Sequence, residues 1–186
     1  MLVILGASGS GKTTLQKYLC KYFNLKPIIS TTTRPIREGE VGGKDYYYVS
    51  QDKFNEMLNN NEFVEAATYN DWFYGITKDQ LSDNKVFVAT PSGLRRIKRY
   101  IKDNKLEDKI HLISVYLKVD KISRLIKLLQ RDGEKGMNES IRRLYSDEGQ
   151  FDGVEEECDI TFNNSEYRMS TEVLASQLKY HLEGNI

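Results

Sequence analysis

The run Gly6 to Thr13 constrains this chain more than any other feature. Gly6-Ala7-Ser8-Gly9-Ser10-Gly11-Lys12-Thr13 fits the spacing G-x-x-x-x-G-K-[ST] at every defined position. It lies between the apolar stretch Leu2 to Leu5, which reads as a strand, and a helical pattern starting at about Lys12. In that pattern Leu15, Leu19 and Phe23 recur at a spacing of four. Glycines let the backbone turn with its N–H groups facing inward, where an anion can sit. The helix N-terminus adds partial positive charge. Lys12 is placed to reach the β- and γ-phosphates of a triphosphate, and the Thr13 hydroxyl to coordinate Mg²⁺. Gly6, Ala7, Ser8, Gly9, Ser10, Gly11, Lys12, Thr13 and Thr14 are the expected ATP-binding residues.

Strand and helix patterns alternate along most of the chain, which predicts an α/β three-layer fold around a parallel central sheet. Further strands are expected at Pro27 to Ser30, Val86 to Thr90, Ile110 to Lys118 and Asp159 to Asn163. Helical stripes run through Leu94, Ile97 and Ile101, through Ile122 to Arg131 and Asn138 to Glu148, and through Leu174, Leu178 and Leu182. Two segments break the alternation. Residues 31–84 combine turn residues with the aromatic runs Tyr46 to Val49 and Trp72 to Tyr74 and a short helix near Phe54 to Leu58, and read as a small α+β insert. Asp132 to Met137 is polar with two glycines and reads as a mobile loop within a lid, 131–143. The core is then 1–30, 85–130 and 144–186 of a single domain.

Composition narrows the partners. Lys plus Arg is 27 and Asp plus Glu is 27, so the balanced charge argues against a non-specific nucleic-acid binder. The basic run from Arg95 to Lys105 then reads as a solvated face. No apolar run has the length of a membrane span, and Met1 leads directly into a strand, so a cytoplasmic location is expected. Cys20, Cys158, His111 and His181 have no metal-ligand spacing, so no zinc is expected.

The insert carries a more specific signal. Ser30-Thr31-Thr32-Thr33-Arg34-Pro35-Ile36-Arg37-Glu38-Gly39-Glu40, then Gly43-Lys44-Asp45-Tyr46, resembles the signature of the guanylate kinase family. Glu62-Phe63-Val64-Glu65, Tyr74-Gly75 and Asp159-Ile160-Thr161-Phe162-Asn163 resemble it too, in the family's order. The resemblance implies phosphoryl transfer from Mg-ATP to GMP or dGMP. Arg34, Arg37, Tyr46 and Tyr74 would then clamp the monophosphate, a role that suits the planar fork of arginine and the tyrosine hydroxyl. It further implies that Glu65 reads the guanine edge, with Ser30, Gly75 and Thr90 beside the substrate. Arg131 and Arg143, or Arg142 in its place, would come over the transferring group as lid arginines, so Lys12, Arg37, Arg131 and Arg143 form the expected catalytic set.

The chain departs from that family at three places. Val88 and Thr90 occupy the positions of an Asp-x-Asp pair, Ile76 follows Tyr74-Gly75 where Ser or Thr is common, and Lys127 stands where arginine is common. A kinase of the same fold acting on another or modified nucleotide is therefore one alternative. A non-catalytic guanylate-kinase-like binding module is a second, against which the complete Gly6–Thr13 run argues. Monomer and homodimer are both open.

Overall fold

Strand β1 (Leu2–Leu5) is buried on both faces, as an uninterrupted apolar run at the centre of a parallel sheet should be. The computed structural model describes residues 1–37, 39–69 and 71–183; Glu38 of the insert signature and the side chain of Leu182 lie outside what is described. β1 passes through the glycine loop into α1 (Lys12–Tyr22), then β2 (Lys26–Pro27), β3 (Thr31–Thr32), β4 (Tyr47–Tyr48), α2 (Gln51–Asn59), β5 (Phe63–Tyr69) and β6 (Trp72–Thr77). β7 (Lys85–Val88), α3 (Pro91–Asp103), β8 (Ile113–Lys118), α4 (Lys121–Ser146), α5 (Val154–Glu157), β9 (Ile160–Asn163) and α6 (Thr171–Glu183) complete the chain.

The residues fall into two compact units, one of Met1, Lys26–Lys85 and Ser92–Leu112, the other of Leu2–Leu25, Val86–Pro91 and Ile113 onward. In the second, β7, β1, β8 and β9 form a parallel ladder with Leu2 beside both Val86 and Ile113, and Val115 beside Ile160. Its core joins Leu2, Ile4, Val115 and Leu117 of the sheet to Leu15 and Leu19 of α1 and to Leu174, Ala175 and Leu178 of α6. Leu15 with Leu19 and Leu174 with Leu178 are thus buried as expected, with Phe23 packed at the margin, whereas Ile122 and Ile126 of the Ile122 to Arg131 pattern are exposed.

The first unit holds a four-stranded sheet, β4-β3-β6-β5, parallel between β3 and β4 and antiparallel elsewhere. Phe54 of α2 is wholly buried and stacks on Phe63 and Phe73, with ring centroids 4.5 and 5.4 Å apart. Lys26 N donates to Asn84 O at 2.8 Å, bringing the short β2 to the residue just before β7.

Two expectations are corrected. The insert does not end at residue 84: α3 clusters with it, because its residues from Ser92 onward contact the insert side of the chain. Asp132 to Met137 is not a loop. α4 runs from Lys121 to Ser146 and is broken only at Gly133, whose φ of 60° and ψ of −168° lie outside the helical region. A helical periodicity interrupted by two glycines reads as a loop, but only one of them leaves the helix.

Truncating Leu178, which has no exposed surface, to alanine is expected to cost about 2–5 kcal/mol of stability. Tyr180→Ala, at an 81% exposed position, should change it by less than about 0.5 kcal/mol. Urea unfolding followed by circular dichroism measures both.

Candidate functional site

The glycine loop is held open by its surroundings. At Gly6, φ 153°, a Cβ would collide with Ser10 Oγ and stand 2.9 Å from Leu117 O. At Gly9, φ 84°, it would stand 2.9 Å from Arg124 O. Ser10 N donates to Ala7 O at 3.1 Å, and Gly11, φ 95°, caps the start of α1. The loop therefore presents its backbone at a helix N-terminus, an arrangement that favours an anion.

Lys12 Nζ donates to Ala7 O at 2.9 Å, which folds the side chain back over the loop. Burial lowers its pKa to about 8; the Asp147 carboxylate opposes this, while Arg124 and Arg131 add to it. A cavity of about 220 Å³ beside the loop is lined by Ser8, Lys12, Thr13, Lys127, Arg131 and Arg143 among others. Of Arg142 and Arg143, it is Arg143 that lines this cavity. Both wall arginines rest on carboxylates: Arg131 on Asp132 at 2.5 and 2.8 Å, Arg143 on Glu139 Oε1 at 2.9 Å. Arg142 shares Glu139 at 2.7 Å. These contacts hold Asp132 and Glu139 down at pKa values of about 2.

Thr13, at the start of α1, is exposed and lines this cavity. No group of three His, Cys, Asp or Glu side chains that could hold a metal occurs among the described residues. Thr90 is exposed just past β7, in the same unit as the loop.

The first unit carries a second polar cluster. Arg34 is buried at 7% exposure and donates to Glu40 Oε1 at 2.7 Å and to Pro35 O at 2.9 Å. Its guanidinium lies 5.3 Å from the Tyr46 ring and 5.9 Å from that of Tyr48. Glu40 Oε2 accepts from Arg37 N and from Tyr48 Oη, both at 2.8 Å. The Arg34 contact leads in holding the Glu40 carboxyl down at about 2, and desolvation followed by Glu40 lifts Tyr48 to about 12. Tyr46 meets Tyr74 edge-on with centroids 6.0 Å apart. Arg37 is exposed, and Ser30 O accepts from Tyr47 N at 2.9 Å. Gly75 lies beneath Phe63, whose ring would stand 2.6 Å from a Cβ there, so its place is set by packing.

Glu65 is 12% exposed, and burial raises its carboxyl above the ordinary range, with Arg96 opposing the rise. Ile76 faces it across the β5–β6 ladder and is buried in the core.

A family model described as guanylate kinase matches residues 1–180. The chain belongs to the guanylate kinase family. It is 40% identical over 110 residues to a guanylate kinase of Helicobacter hepaticus, covering 55% of each chain. It is 26% identical over 181 residues to one of a Nostoc species, covering 94% of this chain and 86% of the other. Over stretches of 40% identity or more, the chain spans about half, or less, of the length of the curated relatives it matches. The crystal structure of guanylate kinase from Anaplasma phagocytophilum shares the fold, with a TM-score of 0.64, 22% identity, and coverage of 100% of this chain and 85% of that one. The family fold is thus retained with Ile76, Thr90 and Lys127 in place.

Several residues escaped the sequence reading. Asp147 Oδ2 accepts from Ser8 N at 2.6 Å and pairs with Arg124 at 3.8 Å. Arg124 Nη1 donates to Ser8 O at 3.3 Å, and Tyr167 Oη to Gly9 O at 2.6 Å. The Tyr167 ring also lies 3.9 Å from Nζ of Lys127, which the sequence had already marked. Asp147, Arg124 and Tyr167 lie far from the loop in sequence, and no motif marks them. Glu40 closes the insert signature and could have been found there as the acid partner of Arg34. No helix among the described residues is long and apolar enough to cross a membrane.

With Lys12 at a pKa of about 8, part of the ligand-free protein carries a neutral lysine at pH 8. A bound polyphosphate favours the charged form, so binding of a nucleoside triphosphate at that pH should take up protons. Calorimetric heats at pH 8 should therefore vary with the ionisation enthalpy of the buffer, and the dependence should vanish in Lys12→Met.

Proposed function

We propose that this chain transfers the terminal phosphoryl group of Mg-ATP to GMP or dGMP, giving ADP and GDP or dGDP. Family membership and the loop bearing Lys12 support the phosphotransferase reading. The observation that carries the choice of base is Glu65, a nearly buried carboxylate whose Oε2 has no hydrogen-bond partner among the described residues. Such an acceptor suits the N1–H and 2-amino group of guanine, which adenine lacks.

In this reading the Gly6–Thr14 backbone and Lys12 hold the β- and γ-phosphates. Arg34, Arg37, Tyr46 and Tyr74 hold the acceptor phosphate, with Ser30 and Thr90 beside the substrate. The Thr13 hydroxyl is the side-chain donor that would hold Mg²⁺ beside the triphosphate, where the ion would neutralise phosphate charge. An oxygen of the GMP phosphate attacks the γ-phosphorus. The new P–O bond forms as the bond to the β–γ bridging oxygen breaks, and the electron pair leaves with ADP. The attacking oxygen is already anionic, so no side chain has to remove a proton. Catalysis then consists of positioning and charge neutralisation. Lys12, Arg131 and Arg143 supply the neutralising charge, the two arginines exchanging Asp132 and Glu139 for phosphate oxygens. The reading places the protein in the cytoplasm with nucleotides as its partners.

A second reading, a kinase of the same fold acting on another or modified base, is favoured by one feature. Ile76 buries an apolar side chain where a hydroxyl would face the base.

A coupled ADP-release assay against GMP, dGMP, AMP, dTMP, UMP and CMP separates these readings, turnover confined to GMP and dGMP being expected. Lys12→Met should lower kcat by about 10²–10³-fold. Arg37→Ala should raise the KM for GMP and leave that for ATP unchanged; unchanged GMP binding removes Arg37 from the clamp. Glu65 must be ionised to accept from the base, and its pKa is raised. GMP affinity should therefore fall on acidification at a pH above the ordinary glutamate range, and Glu65→Gln should abolish that acid limb.

A further inference from the structure

The Glu65 carboxylate leans over Gly93 of α3, where a Cβ would stand 2.9 Å from Oε2. Its Oε1 accepts from Arg96 Nη2 at 3.1 Å, and the same nitrogen reaches Ser92 Oγ at 3.4 Å. Glu65 Oε2 and Arg96 Nε are both out of contact with solvent, and neither has a hydrogen-bond partner among the described residues. Buried polar atoms are nearly always partnered. Two unpartnered atoms of opposite character on one ion pair call for a ligand that supplies both a donor and an acceptor.

Taken in order, Oε2, Oε1 and the guanidinium present acceptor, acceptor, donor. The guanine edge presents its complement: the 2-amino group and N1–H donate, and O6 accepts. Adenine sets an acceptor at N1 and a donor at its 6-amino group, so like meets like. The donor for O6 cannot come from Ile76, which is apolar and buried opposite Glu65. We propose that Arg96 is a specificity-determining residue that donates a guanidinium N–H to O6 of the guanine base, while Glu65 accepts from N1–H and the 2-amino group. The inference rests on the reading of Glu65 as the base-binding carboxylate. It also accounts for the glycine at position 93: a side chain there would push the carboxylate off the guanidinium.

The test compares GMP with 6-thioguanosine monophosphate, which keeps N1–H and the 2-amino group and replaces only O6 by a weaker acceptor. The wild-type chain is expected to prefer GMP in kcat/KM by about tenfold. Arg96→Met should reduce that preference to within about twofold, with the KM for ATP unchanged. Arg96→Lys, which keeps the charge beside Glu65 but not the planar fork, should lose most of it as well. Thermal unfolding of each variant checks that it folds. A preference for GMP that persists in both variants overturns the proposal. So does recovery of that preference in Arg96→Met at pH 9, since Arg96 would then act only by keeping Glu65 ionised. Failure of the underlying reading has a different signature: Glu65→Gln would leave the KM for GMP unchanged.

Discussion

The burial of β1 is the constraint on which the rest depends. Its four residues are enclosed on both faces, and the sheet continues on both of its edges. The chain must therefore leave through Gly6, where Leu117 O and Ser10 leave no room for a side chain. Gly9 is wedged in the same way against the Arg124 carbonyl of α4. The shape of the glycine loop is thus set by close approach from the core. A side chain at either glycine would have to displace backbone, and the loop would lose its conformation.

A second regularity is electrostatic. Six arginines of the two candidate clusters contact a carboxylate: Arg34 with Glu40, Arg96 with Glu65, Arg124 with Asp147, Arg131 with Asp132, and Arg142 and Arg143 with Glu139. Such pairing is in keeping with a formal net charge of +0. In the proposed function, binding a phosphate here would exchange one anion for another. Partners that hold an arginine in a defined place also lower the entropy lost when a substrate takes over.

The glycine loop, the parallel ladder and the α1 and α6 stripes were legible in the sequence, because each is a short-range pattern with one physical solution. The loop needs its glycines and Lys12 at fixed spacing. The stripes need Leu15 with Leu19 and Leu174 with Leu178 on one face, and both pairs are buried. Placement of α3 with the insert was not legible, since its periodicity says which face is buried and nothing of what covers it. The continuity of α4 was hidden by Gly133 and Gly136, only the first of which leaves helical geometry. At the candidate site the residue types were legible, and their partners were not. Asp147 and Tyr167 reach the loop from distant elements, through contacts that leave no local mark on the sequence.

The interleaving of the two units bears on how the chain is built. β3, β4, β5 and β6 all come from one continuous stretch, so their sheet has every strand once Thr77 has been made. β1 precedes that stretch, yet one of its neighbours, β8, begins only at Ile113. Until then β1 has a bare hydrogen-bonding edge, the kind of surface that invites pairing with foreign strands. The contacts that close around the glycine loop, from Arg124, Asp147 and Tyr167, come later still. Non-local pairing of this kind slows folding. A strand made early is therefore enclosed late, and the glycine loop gains its flanking contacts only after Tyr167 has been made.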